Sequence, residues 1–146
     1  MSFVVEVERH FRVRQGLPSP VLARNGRPRI EPGAAVELTV TVGVAFTDHQ
    51  LTDRGWFFDT DAAADQVDRV CAGLATQAWT DLFDFRPTFE LVARHLFQQL
   101  APQMPQLAFV DLYDGSFGSR TRYLPPVGRP QGGAGRDGSA PATTGL

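Results

Sequence analysis

Apolar and polar side chains alternate over residues 3–14. Phe3, Val5, Val7, Phe11 and Val13 fall on one parity, and Glu6, Glu8, His10, Arg12 and Arg14 on the other. A period of two predicts a half-buried β-strand. Residues 15–34 are rich in Gly, Pro and Arg and read as a long loop, with Pro32-Gly33 opening a second strand. In that strand Val36, Leu38, Val40, Val42 and Val44 alternate with Glu37, Thr39 and Thr41. After a polar turn over 47–54, Gly55-Trp56-Phe57-Phe58-Asp59 predicts a short third strand. The period then changes. Asp59 or Thr60 caps a helix whose apolar stripe is Val67, Val70, Cys71, Leu74 and Ala78, with Asp61 placed where negative charge suits the helix dipole. Residues 80–87 connect it to a second helix starting at Pro87-Thr88, carrying Val92, Leu96 and Leu100 and stopped by Pro102 and Pro105. Two further strands, Leu107–Asp114 and Arg120–Tyr123, flank the turn Gly115-Ser116-Phe117-Gly118. The order ββ(β)ααββ predicts an α+β fold: an antiparallel four-stranded sheet with two helices packed on one face. A doubly wound parallel sheet needs strict alternation of strand and helix, which is absent.

Composition sharpens this picture at the C-terminal end. From Leu124 onward the chain is rich in Gly and Pro and has no aromatic residue. Such a segment buries too little apolar surface to offset its ordering entropy. The expected organisation is one domain over 1–123 and a disordered tail over 124–146. The formal net charge of -2 argues against a dedicated nucleic-acid binder, which needs a basic face. No apolar run approaches the roughly 18–20 residues of a membrane span. Acidic residues follow Met1 at once, at Glu6 and Glu8, with no apolar stretch typical of a signal peptide, so a cytoplasmic protein is expected. Cys71, the single cysteine, cannot form an internal disulfide or a thiolate metal cluster. Every basic residue is Arg, so Schiff-base and Walker-lysine chemistry is excluded.

Three local words, in this order, resemble the 6-pyruvoyltetrahydropterin and 6-carboxytetrahydropterin synthases, which have the tunnelling fold (T-fold). Gly55-Trp56-Phe57-Phe58-Asp59 is similar to the strand leading into that family's first helix. Pro87-Thr88-Phe89-Glu90-Leu91-Val92-Ala93 resembles its Pro-Thr-x-Glu-x-x-Ala helix start, and Leu112-Tyr113-Asp114 with Tyr123 resembles its late strand, where a glutamate, one methylene longer than Asp114, holds the pterin edge. The resemblance covers roughly residues 3–123 and implies a homo-oligomeric ring, a trimer or hexamer built by sheets pairing edge to edge. It also implies a zinc held by one first-strand histidine and a His-Gly-His at the start of the second strand. Here that position reads Pro32-Gly33-Ala34. The family's catalytic cysteine falls near Pro28, and its Asp-His pair near Ala75-Thr76. His10 stands near the first-strand ligand, and one histidine does not hold a catalytic zinc. The expectation is a degenerate member with no metal and no cofactor.

The remaining candidates each admit two readings. Asp114 is either the anchor for a guanidine-like ring edge, through paired charge-assisted hydrogen bonds, or the opening residue of the turn with Gly115. Thr88 and Glu90 are either substrate-contacting groups or, respectively, the cap and the first-turn charge of their helix. His10 is either a proton carrier or a solvated histidine on a polar strand face. His49, beside Asp48 and Asp53, reads as a polar loop. His95 reads as exposed, Asp59 as a cap, and Cys71 as core. Two functions follow from the resemblance. One is a metal-independent enzyme of lyase or cyclase type, or a binding protein, for a pterin-like planar heterocycle in an inter-subunit pocket, with His10 and Glu90 as catalytic groups and Asp114 and Thr88 binding substrate. The other is a non-catalytic scaffold or a partner subunit of an active synthase. Metal-free members of the fold that work through a lysine or a cysteine adduct do not fit, since lysine is absent and Cys71 lies on the core stripe. If the resemblance concerns the fold alone, the substrate ring is open.

Overall fold

The computed structural model describes residues 2–17, 34–53, 55 and 58–126. Within them, four strands make one antiparallel sheet in the order β1-β2-β3-β4: β1 (Ser2–Arg14), β2 (Ala35–Thr47), β3 (Leu107–Asp114) and β4 (Ser119–Tyr123). Register follows the alternation of the sequence. Val7 lies opposite Val42 and Val13 opposite Val36, so the apolar parities of both strands share one face. That face continues through Leu112 and Val110 of β3, which pair with Val40 and Val42.

Two long helices, α1 (Thr60–Cys71) and α3 (Phe89–Leu100), cover this face, with a single-turn helix α2 (Trp79–Leu82) between them. Their starts are capped as their residue types dictate. Asp59 accepts hydrogen bonds from the amides of Asp61 and Ala62, and Thr88 Oγ1 accepts one from Leu91. Val67 and Cys71 of α1 and Val92, Ala93, Leu96 and Leu100 of α3 are buried against the sheet. Trp79, fully buried, anchors the connection: its indole N–H donates to the Leu74 carbonyl, 3.0 Å away, and its ring meets Phe83 and Phe89 edge-on. Burying an indole ring contributes strongly only when its N–H finds such an acceptor.

Several expectations are corrected. Gly55, Phe58 and Asp59 are not in a strand; Trp56 and Phe57 of the expected third strand lie outside the described residues. The connection over 80–87 carries the end of the single-turn helix α2. His95 is half-buried, with its ring 5.3 Å from Phe83 and 5.6 Å from Phe85, because the connection folds back onto α3. Pro32, Gly33 and nearly all of the expected tail, residues 127–146, are outside the described residues; 124–126 carry no regular structure.

Candidate functional site

At one end of the sheet β1 and β3 finish and β2 and β4 begin, since Arg14 pairs with Ala35 and Asp114 with Leu38. The start of α3 is tied to this end. Gln15, just past β1, donates its side-chain amide to the Pro87 carbonyl at 2.9 Å, and its own carbonyl accepts from the Thr80 amide. Gly16 follows with φ 85°, and a Cβ there would strike the Thr80 hydroxyl, so the chain can pass this point only as glycine. Thr88 and Glu90 therefore stand at the same end as Asp114.

Asp114 is 2% exposed, and Oδ1 accepts the Ser116 amide at 2.8 Å. Its carbonyl takes the Gly118 amide, and Gly115 donates to the Glu37 carbonyl. The turn reading of Asp114 is thus realised. Thr88 uses its hydroxyl as a cap, while Glu90 is exposed in the first turn of α3. His10 is elsewhere. Its parity puts it on the face of the sheet away from the helices, where its Nδ1 is hydrogen-bonded to Thr39 Oγ1 at 3.0 Å. Thr88, Glu90 and Asp114 share one end of the molecule, and His10 does not join them within a subunit.

The same open face carries a cluster that the sequence did not single out. Asp111 has no exposed surface and sits between two arginines of β4. Arg122 donates from Nε and Nη2 to Oδ2 at 3.0 and 2.9 Å, and Arg120 donates from Nη1 to Oδ1 at 3.2 Å. The Arg122 guanidinium stacks 3.8 Å above the Phe109 ring. Beside Asp111 lies Thr41, whose buried hydroxyl has no hydrogen-bond partner among the described residues. The signal for this cluster was available as parity: an acidic residue mid-way along an apolar strand, and two arginines two apart in the strand after it. On the helix-facing side, Arg9 breaks the apolar parity of β1 and makes a bidentate pair with Asp68 of α1 at 2.9 and 2.7 Å, which raises the Arg9 pKa.

The three histidines occupy separate places: His10 on the open face, His49 exposed in a single 3-10 turn after β2, and His95 between Phe83 and Phe85. Among the described residues no three His, Cys, Asp or Glu side chains are grouped to hold a metal ion. Cys71 is buried in α1, and burial together with nearby Asp68 pushes its thiol up to about 12. A cleft of about 240 Å³ lies between α1 and the start of β3, lined by Phe58, Asp59, Gln66, Gln103 and Met104 among others. It is at the opposite end of β3 from Asp114, about 23 Å along the strand at the usual rise per residue. None of the expected substrate-contacting or catalytic residues lines it.

An antiparallel four-stranded sheet with helices on one face is the architecture of a pterin-synthase-like T-fold protein. A profile of the 6-pyruvoyl tetrahydropterin synthase family matches residues 38–124, more than half of the chain, and the chain belongs to that family. Its fold is similar to the structure of Caenorhabditis elegans 6-pyruvoyl tetrahydropterin synthase, with a TM-score of 0.65 and 14% sequence identity over 86% of this chain and 97% of that one. No curated protein matches the chain by sequence. No helix among the described residues is long and apolar enough to cross a membrane.

Proposed function

We propose that this chain is a metal-independent member of the family, cytoplasmic and ring-forming, that binds or transforms a pterin-like planar heterocycle in a pocket between subunits. The observation that carries the reading is Asp114: a nearly buried carboxylate at the sheet end where α3 starts. Such a group accepts paired N–H bonds from a heterocycle edge, and these are strong where water is excluded. Thr88 then contacts the same ligand. Glu90 and His10 carry protons in this reading, and because His10 lies on the other face of the sheet, it takes part only through a pocket completed by another copy.

A resident zinc does not fit the donor set. The family's two second-strand ligands are replaced by Pro32 and Ala34, neither of which coordinates metal, and the three histidines are dispersed. No step is assigned to a metal. The non-catalytic reading draws support from the Asp-His position of the family, where Ala75 has no proton to move and the Thr76 hydroxyl is spent on the Gly73 carbonyl at 2.7 Å.

A thermal-shift panel of pterins, deazapurines and related heterocycles tests the choice. A ligand at one hundred times its Kd stabilises the fold by about 2.7 kcal/mol, which raises Tm by several degrees. The expected result is a shift with at least one heterocycle that disappears in Asp114→Ala and is reduced in Asp114→Asn, which keeps an acceptor for the Ser116 amide. An unchanged shift in both variants removes Asp114 from the site, and no shift across the panel favours the scaffold.

A further inference from the structure

The open face of the sheet carries two arginines that are firmly held and only half used. Arg120 and Arg122 lie on the same parity of β4, and both grip Asp111, which has no exposed surface. Arg122 donates from Nε and Nη2, and Arg120 from Nη1. Among the described residues, Arg122 Nη1 and Arg120 Nε and Nη2 have no acceptor. Each guanidinium also lies over an aromatic ring, Arg120 4.9 Å from the centre of Tyr113 and Arg122 3.8 Å from that of Phe109. Their side chains remain 51% and 39% exposed, so the pair is open to a ligand from solvent.

We infer that this pair is a binding site for an oxyanion, the phosphate or carboxylate group of a small ligand, on the face of the sheet opposite Asp114. Charge favours it. One carboxylate against two guanidiniums leaves the cluster with a positive charge in excess, and no other described carboxylate pairs with either arginine. The exposed acids of the same face, Glu6 and Glu8, stand on β1, at the far side of the sheet from β4. Three strand spacings make that about 14 Å, beyond the screening length of about 8–10 Å in ordinary salt. Geometry favours it too. Because both guanidiniums close on one carboxylate, their free edges stand side by side, and paired guanidinium donors suit the oxygens of phosphate and carboxylate. Preorganisation adds to this. A free arginine loses rotamer freedom when it closes on a ligand, and here Asp111 and the two rings have already removed much of that freedom. As a device for joining β3 to β4 alone the arrangement is costly, since a buried carboxylate must be desolvated and a well-packed apolar residue at 111 would serve as well. What Asp111 supplies beyond packing is the fixed orientation of two guanidiniums. Asp114, in register with Leu38, lies on the other parity of β3, so the two carboxylates face opposite sides of the sheet and the inference does not rest on the heterocycle reading.

Melting of the full chain in sodium phosphate and in sodium succinate, each against sodium chloride at equal ionic strength, tests it. At least one of the two oxyanions is expected to raise Tm by about 3–5 degrees at ten times its Kd, relative to chloride. The salt that acts tells a phosphoryl ligand from a carboxylate one. Arg120→Gln removes the longer of the contacts to Asp111, and is expected to weaken binding at least about tenfold with the circular dichroism spectrum unchanged. Arg122→Gln is expected to abolish binding; it also takes two hydrogen bonds from a buried carboxylate, so Arg120→Gln decides the matter if that variant does not fold. Arg12→Gln removes the same charge from an exposed arginine of the same face, one paired with Glu37, and is expected to leave the shift as it is. No rise with either oxyanion overturns the inference. So does a rise that survives Arg120→Gln, or one lost equally in Arg12→Gln, which is the mark of general charge screening. None of these outcomes bears on Asp114, whose heterocycle shift is read separately.

Discussion

Cys71 shows how position decides the chemistry of one residue. Its sulfur lies under α1 with no exposed surface, and Asp68 on the same helix adds negative charge nearby. Both disfavour the thiolate, so the pKa stands at about 12 against an ordinary value of 9.0. At neutral pH the group is a small apolar side chain, inert to thiol reagents until the fold opens. The linkage has a definite sign. Below pH 9 the thiol is protonated in the folded and unfolded chains alike, and it costs nothing. Between about 9 and about 12 only the unfolded chain ionises, so stability falls as pH rises through that window, by up to about 1.4 kcal/mol per pH unit. Denaturant unfolding of the wild type and of Cys71→Ala from pH 8 to 11 reads this directly. The wild-type curve is expected to fall more steeply, and parallel curves would show that the thiol ionises alike in both states.

At the scale of the element, β2 and β3 meet most tightly where Gly43 faces Phe109. A Cβ at Gly43 would sit inside the Phe109 ring edge, and the β2–β3 register shifts between Gly43 and Val44. The close approach lets Phe109 lie flat on the strand, with Arg122 stacked upon it and bonded to Asp111. Gly43→Ala is therefore expected to lift the ring and loosen the arginine, costing about 1–3 kcal/mol as overpacking. Urea midpoints measure this. Combining it with Phe109→Leu is expected to recover part of the loss, since the two changes share one space; simple additivity would separate the glycine from the ring. The alternation that defined these strands was legible in the sequence, as were both helix caps, because period and cap chemistry are local. The glycine's purpose and the Asp111–Arg122 pair were not, because each depends on which residue of another strand lies opposite. The same reason hid the Arg9–Asp68 pair and the aromatic contacts of His95. In the candidate site Asp114, Thr88, Glu90 and His10 were legible only one by one, and which of them share an end of the molecule needed the register and faces of the sheet to be known.

At the scale of the whole molecule, the main apolar cluster among the described residues lies between one face of the sheet and the helices. Val67, Cys71, Leu96 and Leu100 close it from above and Val40, Val42 and Val110 from below. Burial of apolar area drives folding, and the proposed metal independence adds that no metal-binding free energy is needed, unlike structural metal proteins that unfold in chelator. The expected outcome is a melting temperature unchanged by excess EDTA, and elemental analysis of the purified chain giving zinc well below one per subunit. The two readings are coupled by mass action: a zinc bound to the native state alone would raise Tm with zinc concentration and lower it in chelator. About one tightly held zinc per subunit, with a chelator-sensitive Tm, would mean that side chains from separate places in the fold, or from neighbouring copies, converge on an ion, and it would overturn the metal-independent reading. A flat response, together with a heterocycle-dependent rise in Tm, would leave Asp114 and the end of the sheet it occupies as the place where this family member meets its ligand.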